Sequence, residues 1–133
     1  MRETPLLCDL TLPQLSAICR ERGLLLLQAH PFRTEQYHSL KDTRYFDGIE
    51  INTHDYFPSG VNEAEALRIA RERNLVLSCG GDVHYPWMHL DSATYVPGDV
   101  HDSVGFASYL RQVKIPYYSL DEIDRYVVPP PKK

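Results

Sequence analysis

The chain has 133 residues, enough for one domain built on a single core, and its 43% hydrophobic and 24% charged residues are ordinary for a globular protein. A formal net charge of -4 without any basic run argues against a nucleic-acid backbone as the main partner, and no stretch approaches the roughly 20 apolar residues of a membrane span. Cys8, Cys19 and Cys79 lack CxxC spacing and make no disulfide framework, and Arg2, Glu3 and Pro5 precede only a short apolar patch unlike a signal peptide, so a reducing, cytoplasmic setting is expected.

Residues 1 to 10 carry little signal. Thr11 followed by Pro13 predicts a helix start, a hydroxyl cap and then a proline in the first turn. Leu12, Leu15, Ile18 and Cys19 share one face of that helix, and Gly23 ends it. Four leucines, Leu24 to Leu27, then run through Gln28 and Ala29 to His30 and Pro31. A short run that is apolar on both faces predicts a central parallel strand, closed by a proline that cannot donate to the ladder. Residues 32 to 46 lack periodicity and predict a loop with a short helix. Asp47-Gly48 turns the chain into a strand at 49–52, where Ile49 and Ile51 alternate with Glu50 and Asn52. The polar pair needs partners if the strand lies inside a sheet.

Pro58-Ser59-Gly60 breaks the chain, and Asn62 with Glu65 matches a capping box. Ala66, Leu67, Ile69 and Ala70 form the apolar side of a helix running to about Asn74. A buried strand follows at 75–79, and two glycines then present Asp82 and His84 just past its end. Residues 85–90 are aromatic and polar. Thr94 to Val96 predicts a short strand, and Asp102 or Ser103 caps a last helix carrying Val104, Phe106, Tyr109, Leu110 and Val113. The Asp-Val-His at 99–101 repeats that at 82–84 but opens a helix, so it reads as a cap. Tyr117-Tyr118 is strand-like, and 129–133 form a frayed tail after a single domain at 1–128.

If the strands are parallel neighbours, right-handed crossovers bring their C-terminal ends to one edge. His30 then meets His54 and Asp55 after the second strand, and Asp82 and His84 after the third. Imidazole and carboxylate together suit zinc, manganese or iron. Each residue alone has a plainer reading: His30 as a core histidine bonded to backbone, Asp82 and His84 as a decorated turn.

Ala29-His30-Pro31-Phe32-Arg33, then Asp47-Gly48-Ile49-Glu50-Ile51-Asn52, then Gly80-Gly81-Asp82-Val83-His84 resemble, in order and spacing over residues 24 to 115, the back half of a PHP (polymerase and histidinol phosphatase) domain. The resemblance implies an α/β fold, a partial distorted β/α barrel of mostly parallel strands, holding a cluster of divalent metal ions. It implies a metal-dependent phosphoesterase acting on a phosphorylated metabolite, nucleotide or oligonucleotide. By position, His30, Asp82 and His84 match metal ligands, with Mn, Zn or Fe as the implied ions, and Glu50 matches a strand position beside the site. Asn52, His54 and Asp55 fall beside it too. Arg33 after the first motif either faces a substrate phosphate, which a guanidinium binds bidentately, or is a surface arginine. The chain departs from the family in having no His-x-His strand, so the ligand set is incomplete unless another segment, a second chain, or His38, His54, Asp55 and His89 complete it. The alternative is a truncated, non-catalytic remnant acting as a binding or interaction module. Either way an incomplete barrel exposes a sheet edge, which predicts a homo-oligomer. The loops at 32–46 and 85–93 carry no readable substrate code.

Overall fold

The computed structural model describes residues 9–32, 40–52, 59–82, 84 and 92–119, with the backbone alone for Asn52, residues 59–62 and Ser119. Helix α1 spans Leu12–Glu21, and a complete capping box starts it. The Thr11 hydroxyl accepts from the Gln14 amide at 3.4 Å, and the Gln14 side chain accepts from the Thr11 amide at 2.8 Å. Gly23, at φ 67, turns the chain out of the helix, and the Leu24 amide donates back to the Cys19 carbonyl at 2.8 Å.

The strands β1 (Leu27–Gln28), β2 (Gly48–Asn52) and β3 (Val76–Gly80) form a parallel sheet in the order β1-β2-β3. Leu27 pairs with Gly48, and β2 matches β3 from Gly48 opposite Val76 to Asn52 opposite Gly80. Directly paired residues share a face, so Ile49, Ile51, Leu77 and Cys79 point one way. All four are buried with Ala66, Ile69 and Ala70 of helix α2 (Ser59–Glu72), and Phe32 and Phe46 complete this core. On the alternate face Leu27 lines a cavity of about 530 Å³ with Phe106, Ala107 and Leu110 of helix α3 (Ser103–Val113), and Leu110 is fully buried. Two short strands, β4 (Ala93–Thr94) and β5 (Tyr118–Ser119), pair antiparallel beyond β3. The Tyr118 hydroxyl donates to Glu63 Oε1 on α2 at 2.5 Å, and burial, helped by that carboxylate, holds the phenol well above its ordinary pKa. Among the described residues no helix is long and apolar enough to cross a membrane.

Several sequence expectations are corrected. Among the described residues the leucine run has a strand on one side only, and its ladder is short because the Asp47 carboxylate takes the Leu26 amide at 2.8 Å. Leu24, expected inside, is 52% exposed. Helix α2 begins at Ser59, so Asn62 lies within it and does not cap it; the Glu65 carboxylate is held instead by Arg68 at 2.5 Å. It ends at Glu72, and Asn74 turns left-handed at φ 53. Val104 on α3 is 77% exposed because it sits on the solvent side of the first turn. The strand expected at 94–96 lies at Ala93–Thr94 and the one expected at 117–118 lies at Tyr118–Ser119, and within the described part of 32–46 the helical turn is a 3-10 turn at Thr43–Tyr45. The α/β class and the three-strand parallel sheet stand as read.

Candidate functional site

The parallel sheet sets the C-terminal ends of all three strands along one edge. Glu50 on β2 is the centre of that edge. Its Oε2 accepts from the His30 amide, 3.2 Å away at the end of β1. Its Oε1 occupies the space where a side chain on Gly80 would stand; a Cβ there would collide with it. The glycine at the end of β3 is therefore what admits the carboxylate, and one side chain spans the ends of three strands.

Burial is the main force on this carboxyl group and pushes its pKa above the ordinary 4.5. The His30 amide and the charge of its imidazole pull the other way, and the negative charge of Asp82 pushes it up again. Glu50 thus feels His30 from the end of β1 and Asp82 from beyond the end of β3.

Two of these residues sit in unusual backbone. His30 has φ 28 and Asp82 φ 48, the left-handed region that non-glycine residues seldom enter. His30 also precedes Pro31, which disfavours helical backbone in the residue before it. Each such position costs about 1–3 kcal/mol and persists only where its surroundings over-determine it. Asp82, with a side chain 13% exposed, places Oδ1 3.6 Å from Nδ1 of His84, which is 61% exposed. The same Nδ1 lies 2.6 Å from the Asp82 carbonyl, a geometry that suits a proton on Nδ1. The other ring nitrogen, Nε2, then carries the lone pair a metal would use.

Of the expected site residues, the fold brings His30, Glu50, Asp82 and His84 to one edge. Asn52 ends β2 in register with Gly80. Arg33, His54 and Asp55 lie outside the described residues, as do His38 and His89. The donors are carboxylate oxygen and imidazole nitrogen, which suit a divalent ion in kind. In number they fall short, because among the described residues no three His, Cys, Asp or Glu side chains are gathered to hold one. Sequence reasoning missed Gly80 as the space for Glu50, and it missed Ser92 and Thr94. Only Thr94 fell in a segment read as strand; Ser92 lay outside it, and its spacing by two from Thr94 was the available signal.

The described residues define an α/β protein with acidic and imidazole side chains at or just past the C-terminal ends of parallel strands. Its fold is similar to the crystal structure of PsfC from Pseudomonas syringae PB-5123, with a TM-score of 0.50 and 23% identity over 82% of this chain. The match covers 45% of PsfC, so the chain spans less than half the length of that structure. No family model and no curated protein matches the sequence.

Proposed function

We propose that the chain is a PHP-type phosphoesterase module whose site is the strand-end cluster of His30, Glu50, Asp82 and His84. The observation that supports this most is Glu50. A half-buried carboxylate bonded to the His30 amide and repelled by Asp82 is an arrangement that a cation between the acids relieves. His30, Asp82 and His84 are the residues that would hold a divalent ion, with the balance of the ligand set drawn from His54 and Asp55 or from another chain. When bound, such an ion supplies charge neutralisation on phosphate oxygens and an activated water. The chain's own part is to fix the donors. The β1 and β3 ends carry them, the Glu50 carboxylate keeps its place through the His30 amide, and Arg33 binds the phosphate of a small phosphorylated substrate.

On this reading the three-strand sheet is a segment of a distorted β/α barrel. Its β1 edge, which no strand covers among the described residues, pairs with a second copy. Buried Cys19 and Cys79, which share no disulfide, accord with a reducing cytoplasmic setting.

Metal analysis tests the reading. Bound Mn, Zn or Fe in the purified protein, lost in His30→Ala and Asp82→Ala along with hydrolysis of p-nitrophenyl phosphate, is the expected result. Neither uptake nor hydrolysis under added Mn would overturn it and leave a non-catalytic interaction module.

A further inference from the structure

Asp82 and His84 follow the end of β3, yet among the described residues only β2 pairs with it as a strand in the main sheet. On the far side the Leu77 amide donates to the Lys114 carbonyl at 2.8 Å. Two residues on, one hydroxyl does the work of a neighbouring strand. Thr94 Oγ1 accepts from the Cys79 amide at 2.7 Å and donates to the Cys79 carbonyl at 2.9 Å. The next carbonyl, that of Gly80, accepts from Ser92 Oγ at 2.7 Å, and Ser92 is only 2% exposed. A threonine hydroxyl can both donate and accept, so it satisfies both backbone groups of one residue without a partner strand.

These contacts stop just short of the unusual backbone. Gly81 follows, then Asp82 at φ 48. A left-handed aspartate persists only if the chain on either side is held. On the β3 side the holding groups are the β2 ladder and these two hydroxyls. The same strand end carries Gly80, whose bare Cα makes room for Glu50.

We propose that Ser92 and Thr94 are positioning residues: their hydroxyls stand in for a further strand at the end of β3 and so fix where Asp82 and His84 meet Glu50. The proposal rests on the reading of that cluster as a metal centre. Thr94→Val keeps the shape and removes the hydroxyl, and Thr94→Ser keeps the hydroxyl and removes a methyl. In the full chain, amide hydrogen exchange reads the clip directly, and the electron paramagnetic resonance of added Mn(II) reads the site.

Thr94→Val is expected to speed exchange at Cys79 and to weaken Mn(II) binding about 10- to 100-fold, the usual size of an outer-shell effect. Thr94→Ser is expected to restore both. Wild-type Mn(II) affinity in Thr94→Val would overturn the proposal, and so would a Thr94→Ser variant as impaired as Thr94→Val. If the unaltered chain takes up no Mn(II), the metal reading fails separately. Exchange then decides, and a Cys79 amide equally protected in Thr94→Val overturns the clip. Should Thr94→Val not fold, Ser92→Ala leaves the Thr94 contacts in place. The same pair of measurements then applies, with weakened Mn(II) binding expected and unchanged binding overturning.

Discussion

Glu50 shows how much one side chain can carry. Because burial raises its pKa, the native chain holds this proton more tightly than the unfolded chain does. The stability it contributes is fully present below 4.5, its ordinary value, and is lost as pH rises through the native-state pKa. Metal-free protein should therefore unfold at lower urea above that pKa than below it, and Glu50→Gln should flatten the dependence; an unchanged pH profile in that variant would assign the effect elsewhere. Gly80 is the complementary position. Gly80→Ala sets a methyl group where Glu50 Oε1 lies; the end of that side chain can swing aside, so the expected result is a loss of less than about 1 kcal/mol in urea titrations together with a changed pH dependence of stability as Glu50 leaves its place. The contact of Glu50 with Gly80 was illegible in the sequence because it runs diagonally across the β2–β3 ladder between positions far apart in the chain, Glu50 itself standing opposite Ser78. What could be read was that Glu50, alternating with two isoleucines, needed a partner.

At the level of single elements, legibility follows locality. Thr11, Gln14 and Gly23 act within a few residues of one another, and helix α1 begins and ends where they place it. Thr11→Ala should remove the cap and cost about 1 kcal/mol in chemical denaturation. Asp102 caps α3 in the same local way, accepting from the Gly105 amide at 2.7 Å. Asn62 and Glu65 carried the same spelling without the same outcome. Arg68, at i+3 from Glu65, competes for its carboxylate, and the helix extends back to Ser59. The leucine run misled for the opposite reason. Being apolar on both faces says what a strand needs, and only tertiary placement says whether a neighbour stands beside it. Leu24 is half exposed because none of the described residues does.

Across the whole molecule, the placing of His30 and Asp82 at the C-terminal ends of neighbouring parallel strands was readable once the strands were taken as parallel, since parallel strands share one C-terminal edge. The backbone strain at His30 and Asp82 was not, because it depends on contacts from three elements. The two borders of the sheet also differ in a way no residue run displays. Beside β3, the Lys114 carbonyl and the Thr94 hydroxyl occupy the outward backbone groups of Leu77 and Cys79, and the Ser92 hydroxyl takes the Gly80 carbonyl where the strand ends. Beside β1, Leu26 and His30 turn their amides toward β2, so by alternation those of Leu25, Leu27 and Ala29 face outward.

A unit with one reactive border and one closed border behaves like a monomer bearing its own chain terminator. On the proposed pairing through β1, two copies joined border to border, with three described strands from each, would present only closed borders to a third copy, so growth would stop at two. Sedimentation should show a concentration-dependent exchange between one and two copies, shifted toward one by Leu24→Lys. A ladder of larger species, or a single copy at every concentration, would contradict it. The seal beside β3 thus also decides how far such a sheet can spread.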